Sequence, residues 1–216
     1  RISERRIAAL YKMGIISKIA PVPSLCLGTP EISVAEMTAA FSTFSNHWIY
    51  TQPIFVTKIT DKNGNVLANF KPTRTEAISE ETAYLMIELL RGVVAFGTSW
   101  RVKGVYKVEG DIAAKTGTTQ NQSDGWYIGL TPHLTTGVWV GGEDRAIHFS
   151  TLEYGQGASL ALPIWAYYMN KVHEDKTLNY LIKDVFEKPK NIKINLDCSK
   201  DDEKNINPDI IEGVDL

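Results

Sequence analysis

The sequence predicts an α+β fold, an antiparallel sheet flanked by helices. Apolar residues at helical spacing fill stretches on either side of residues 111–141, which instead hold three short runs broken by Gly, Asn and Pro. Helices first, consecutive strands next and a closing helix suit short antiparallel connections, not the strand–helix alternation of a parallel sheet.

Residues 1–20 read as a helix with Ile7, Leu10, Tyr11 and Ile15 loosely on one face, ending near Gly14. Pro21-Val22-Pro23 forces an extended segment, because proline fixes its own φ and restricts its predecessor. Ser33-Val-Ala-Glu36 is a capping box, and Met37, Ala40, Phe41 and Phe44 follow on one helical face. Residues 55–59 and 66–70 form a hairpin around Asp61-Lys62-Asn63-Gly64, where Asn-Gly suits a tight turn. Ser79 caps a second long helix that carries Ala83, Met86, Ile87 and Leu90 and stops at Gly97. Residues 111–117, 125–130 and 135–141 read as three strands, the last two joined at Thr131-Pro132-His133. A final helix is expected from Pro163, as a first-turn proline, to about His173. Residues 1–186 then form the domain, and 187–216, rich in Lys, Asp and Asn, an extended or disordered tail.

The 216 residues are 44% hydrophobic, enough for one sizeable core. Lys and Arg total 23 against 25 Asp and Glu, a net charge of −2, so the basic excess of a nucleic-acid binder is missing. No apolar run reaches the ~18 residues of a membrane span, and the chain itself is expected to be soluble. Cys26 and Cys198 do not make a disulfide framework. His47, His133, His148 and His173 show no metal-ligand spacing, and neither a metal nor an organic cofactor is expected. Trp126 and Trp139 read as core aromatics, Trp165 as the contact of the last helix with the sheet, and Glu143-Asp144 as a solvated turn.

The stretch with chemical content is Ala113-Ala114-Lys115-Thr116-Gly117-Thr118-Thr119. A lysine on a strand edge followed by Thr-Gly-Thr gathers a cation, two hydroxyls and a backbone N–H. The glycine admits a ligand close to the backbone. Such an edge can bind a peptide lying antiparallel to it and hold its carboxylate. An isolated Lys-Thr-Gly reads more readily as a buried strand bearing a surface lysine, since three residues recur easily by chance.

The tripeptide does not stand alone. Leu27-Gly28-Thr29-Pro30-Glu31-Ile32-Ser33, Glu36-Met37 and Ala40-Phe41-Ser42-Thr43-Phe44 precede it, as do Arg91-Gly92-Val93-Val94 and Gly97-Thr98. Asp124-Gly-Trp126-Tyr127-Ile-Gly129-Leu-Thr131-Pro132, Val138-Trp139-Val140-Gly141, Gly155-Gln-Gly157-Ala158 and Ala161-Leu-Pro163-Ile164-Trp165 follow it. Over residues 7–173 this ordered set resembles the transpeptidase domain of class A penicillin-binding proteins. The stretches at 141–144 and 155–158 resemble its Bacteroidetes members.

The resemblance implies a serine β-lactamase-like fold and acyl transfer. A serine attacks the D-Ala–D-Ala amide of a peptidoglycan stem peptide, and a second stem peptide's amine takes the acyl group. It places Lys115 and Thr118 in the catalytic machinery and Thr116, Gly117, Thr118 and Thr119 in substrate binding. Lys115 would support charge and proton transfer, the hydroxyls of Thr116 and Thr118 would bind the substrate carboxylate, and the Thr118 N–H would form half of an oxyanion hole. Stem peptides and β-lactams are the implied partners. A membrane anchor and glycosyltransferase domain lying upstream are also implied, with the transpeptidase at the periplasmic face.

The family also requires Ser-x-x-Lys, which supplies the activated nucleophile, and Ser-x-Asn. No serine of this sequence has Lys three residues later or Asn two residues later. Tyr168-Met-Asn170 follows Lys115 and reads as helix packing. The chain is therefore expected to be the C-terminal part of the domain, incomplete at its N-terminal side and inactive alone, with an apolar face left open where the missing half packs. A non-catalytic peptidoglycan-binding or scaffold module, and a serine β-lactamase or carboxypeptidase, are the alternatives.

Overall fold

A computed structural model describes residues 2–190 and 192. Helix α1 (Ile2–Lys12) ends where expected, at Gly14 with φ 88°. A Cβ there would lie 2.2 Å from the Tyr50 ring, so both the backbone angle and the space require glycine. An extended stretch through a 3-10 turn (Pro23–Leu27) leads to α2 (Val34–Ser45), and the capping box forms in full. The Ser33 hydroxyl accepts the Glu36 N–H at 3.2 Å, and the Glu36 carboxylate accepts the Ser33 N–H at 3.1 Å. The same carboxylate takes the N–H groups of Ile16 and Ser17 at 2.9 and 2.8 Å, tying the end of α1 to the start of α2.

Strands β1 (Ile49–Thr51), β2 (Lys58–Thr60), β3 (Val66–Asn69) and β4 (Arg74–Glu76) form two antiparallel pairs. The β2–β3 hairpin is shorter than its apolar run suggests. The Asp61 carboxylate gathers the N–H groups of Asn63 and Asn65, and Phe55 and Val56 lie exposed outside the ladder. Helix α3 (Glu80–Ala95) starts at Ser79, whose hydroxyl accepts the Thr82 N–H, and the four-residue helix α4 (Arg101–Gly104) follows.

The central sheet is β5 (Ala113–Thr118), β6 (Asp124–Leu130) and β7 (Thr135–Gly141), antiparallel in that order. Its register, Lys115 opposite Ile128 and Trp126 opposite Trp139, fixes the faces. Ala113, Ile128 and Leu130 meet Ile87 and Leu90 of α3 on one face. Ala114, Tyr127, Val138 and Val140 meet the closing helix on the other. Helices of this chain thus pack on both faces. Trp139, which the sequence placed in the core, is 41% exposed.

After α5 (Leu152–Gly155), the closing helix α6 (Gly157–Glu174) begins six residues before the expected start, which corrects the sequence reading. Pro163 lies inside it, not in its first turn. An interior proline costs ~3 kcal/mol. Burial of Ala158, Ala161, Leu162, Trp165 and Met169 against the sheet outweighs that, since each large side chain contributes roughly 1.5–3 kcal/mol. Trp165 packs on the sheet as expected, over Gly129, where a Cβ would lie 2.3 Å from its ring. Asn170 donates to the Tyr106 carbonyl, consistent with helix packing at Tyr168–Asn170.

Beyond α6 the chain returns across the sheet as a strap. Tyr180 reaches Thr131, and Phe186 is buried against Ile87, Ala113 and Leu130. The Phe186 N–H donates to Asp111, which also holds Arg91 by two hydrogen bonds. Phe186 is the last buried residue among the described residues. Most of the expected tail, and Cys198, lie outside the described residues.

Candidate active site

The edge of β5 decides what the Lys-Thr-Gly motif can do. Strand β5 borders the sheet, so one side of it has no ladder partner among the described residues. In an antiparallel ladder successive residues point their N–H and C=O groups to opposite sides. Thr119 donates its N–H to the Asp124 carbonyl at 3.2 Å, in register with the pair Thr118–Gly125. That alternation turns Thr119, Gly117 and Lys115 toward β6, and directs the N–H and C=O groups of Thr118 and Thr116 to the open edge.

The side chains alternate across the faces. Lys115 leaves on the α3 face, whereas Thr116 and Thr118 leave on the α6 face. The sequence reading gathered all three in one place; the structure separates them by face and brings them back together at the edge. Lys115 Nζ curls round to donate to the Thr116 carbonyl at 2.8 Å, which places the cation on the same open edge as the Thr118 N–H.

Each hydroxyl has a fixed neighbour. Thr118 Oγ1 accepts the N–H of Gly157, the first residue of α6, at 3.1 Å. Gln156, the residue before the helix, makes no side-chain cap, so Thr118 satisfies a donor that would otherwise be orphaned. The approach is close: a Cβ on Gly157 would stand 2.4 Å from the carbonyl oxygens of Gly117 and Trp126. Thr116 Oγ1 lies 2.8 Å from Thr98 Oγ1, from the loop after α3.

Thr119 is different. Its hydroxyl sits 2.9 Å from Ser123 Oγ and accepts the Asp124 N–H at 3.0 Å, so it closes the β5–β6 turn and does not face the edge. Gly117 has Trp126 Cβ 3.0 Å from where its own Cβ would be, and its missing side chain keeps the strand low beside Lys115.

Thr98 is a neighbour of the site that residue type does not reveal, because its contact with Thr116 is made through the tertiary fold. The one available signal was Gly97-Thr98 within the family pattern. Among the described residues, no group of three His, Cys, Asp or Glu side chains could hold a metal ion, and no helix is long and apolar enough to cross a membrane.

Comparison with known proteins agrees with this architecture. Residues 23–144 match the penicillin binding protein transpeptidase domain. Penicillin-binding protein 1A of Aquifex aeolicus is 35% identical over 185 residues, which cover 86% of this chain and 24% of that protein. The chain therefore spans about a quarter of that relative. The structure of penicillin-binding protein 1A from Haemophilus influenzae superposes with a TM-score of 0.70 at 25% identity, over 83% of this chain and 33% of that one. The PonA1 protein from Mycobacterium tuberculosis in complex with penicillin V gives 0.64 at 26% identity, over 86% of this chain and 52% of that one. With a transpeptidase match across more than half its length and an open β5 edge bearing Lys-Thr-Gly-Thr, this chain belongs to the penicillin-binding-protein transpeptidase family, among relatives of the 1A type.

Proposed function

We propose that the chain is the C-terminal part of a serine D,D-transpeptidase that crosslinks peptidoglycan stem peptides and is acylated by β-lactams. Residues 1–186 form this part of the domain. Upstream residues carrying Ser-x-x-Lys and Ser-x-Asn complete it, and the whole acts at the outer face of the cell membrane. The observation that carries the reading is the open β5 edge, where an N–H with no ladder partner among the described residues, a lysine and two braced hydroxyls converge.

A stem peptide or β-lactam docks along this edge. The hydroxyls of Thr116 and Thr118 donate to its carboxylate, and Lys115 adds a positive charge. The Thr118 N–H points at the oxygen that becomes anionic when serine attacks. One such donor lowers the barrier by about 2.7–4 kcal/mol, because it is oriented before charge develops. The serine oxygen forms the new acyl bond as the C–N bond of the scissile amide breaks and the departing amine takes a proton. A second stem peptide's amine then displaces the serine.

The chain alone supplies the anion-binding side of this chemistry and no activated nucleophile. Labelled penicillin followed by denaturing intact-mass measurement tests the reading. We expect no adduct on the 216-residue chain and one adduct, on an upstream serine, once the upstream coding region is restored. An adduct on a serine of this chain, or none on the completed domain, would refute it.

A further inference from the structure

We infer that Thr98 is a positioning residue that orients the Thr116 hydroxyl toward a substrate carboxylate. The inference deepens the transpeptidase reading and rests on it. A threonine hydroxyl has one proton to donate and lone pairs to accept. A carboxylate only accepts, so Thr116 must give its proton to the ligand. The 2.8 Å contact between Thr98 Oγ1 and Thr116 Oγ1 then has one arrangement, with Thr98 donating and Thr116 accepting. That arrangement fixes the direction of the Thr116 O–H and polarises it, since hydrogen bonds in a chain strengthen one another.

Thr98 is built to hold still. The segment from Phe96 to Trp100 carries the chain from α3 on one face of the sheet to α4 on the other, past the open edge of β5. Gly97 lies so close to α3 that a Cβ on it would be 2.8 Å from Val93 Cα and 2.9 Å from its carbonyl oxygen. Ser99 is fully buried, and its N–H donates to that same carbonyl at 3.0 Å. Trp100 closes the turn onto the Gly97 carbonyl at 3.2 Å. Thr98 is thus pinned on both sides while its own side chain stays exposed at the edge.

The neighbouring hydroxyl shows the same design with a different donor. Thr118 accepts the Gly157 N–H, which leaves its own proton for a ligand. Each hydroxyl of the i, i+2 pair therefore has an accepting role filled from within the fold, one by a side chain and one by a backbone amide. Only the side-chain donor can be removed by substitution without moving backbone, which makes Thr98 the one to test.

The experiment uses the domain completed by its upstream residues, as wild type, Thr98→Val and Thr98→Ser. Acylation rates are measured with benzylpenicillin, which carries the carboxylate, and with its methyl ester, which does not. Wild-type acylation by benzylpenicillin tests the transpeptidase reading itself; its complete failure overturns that reading and this inference with it. Given acylation, Thr98→Val is expected to slow benzylpenicillin roughly 10- to 100-fold, the loss of one charge-assisted hydrogen bond's alignment. Thr98→Ser should recover the rate to within about 3-fold, and the ester should react equally with wild type and Thr98→Val. An unchanged benzylpenicillin rate in Thr98→Val, an equal loss with both compounds, or no rescue by serine would overturn the positioning role.

Discussion

Replacing Gly157 with alanine separates two opposite expectations. In an ordinary helix the change stabilises by roughly 0.5–1 kcal/mol, because glycine loses more backbone freedom on folding. Here the new Cβ would stand 2.4 Å from the carbonyl oxygens of both Gly117 and Trp126. Carbon–oxygen contacts sit at about 3.3 Å or more, so the start of α6 must retreat by about 0.9 Å. Both obstacles are backbone of adjacent paired strands, and neither can rotate away. Overpacking of this kind costs typically 1–3 kcal/mol. The retreat also stretches the 3.1 Å bond from Gly157 N–H to Thr118, a loss of roughly 0.5–1.5 kcal/mol. After subtracting the propensity gain, the net is a destabilisation of about 2 kcal/mol, or a melting point lower by roughly 4–8 °C. Circular-dichroism melting of wild type and Gly157→Ala checks it. A melting point that holds or rises would mean α6 does not abut β5 as described, and the bracing of Thr118 would fall with it.

Glu36 holds three backbone N–H groups and the hydroxyls of Ser17 and Ser33, and the Ser33 hydroxyl foremost, against an opposing effect of burial, lowers its pKa from 4.5 to about 2. A depressed acid stabilises above its unfolded pKa and ceases to as pH falls through its folded one. Discounted for solvent screening, that is about 1–2 kcal/mol, complete above pH ~4.5 and lost toward pH ~2. Glu36→Gln should remove this pH dependence in urea titrations; parallel acid losses in wild type and variant would refute the assignment. Asp111→Asn should free the strap, because Asp111 holds both Arg91 and the Phe186 N–H. Hydrogen exchange at Phe186 should rise at least roughly 10-fold while the α6 core stays protected, and unchanged exchange would count against it. Lys115→Met in the completed domain should slow penicillin acylation at least ~100-fold with little change in melting, since Lys115 is exposed and, among the described residues, its Nζ donates only to the Thr116 carbonyl. A rate near wild type would remove Lys115 from the chemistry.

Local signals were legible wherever neighbouring residues decide the outcome. The Ser33–Glu36 box, the Ser79 cap, the stop at Gly14 and the turn at Asp61–Gly64 follow from side chains a few positions apart. The three strands of the sheet appeared close to their observed bounds, because short apolar runs between Gly and Pro leave little choice. The start of α6 is hidden from the sequence because a proline at position 163 looks like a first-turn residue, and only the burial of the preceding turn shows that the helix extends through it. The β1–β4 pairing joins three-residue strands more than twenty positions apart and left no periodicity to read.

The candidate site divides along the same line. The sequence by itself determined the order of motifs, the family resemblance they carry and the candidacy of Lys115, Thr116 and Thr118, because those are matters of residue type and position along the chain. It could not determine which side of β5 lies open, which face each side chain takes, or that Thr119 is occupied in a turn. Nor could it supply the two braces, Thr98 on Thr116 and Gly157 on Thr118, which lie 18 and 39 positions away in the chain. Hydrogen bonds act over about 3 Å and are indifferent to separation along the chain, so only the packing of α3 and α6 against the sheet could bring those partners to the edge.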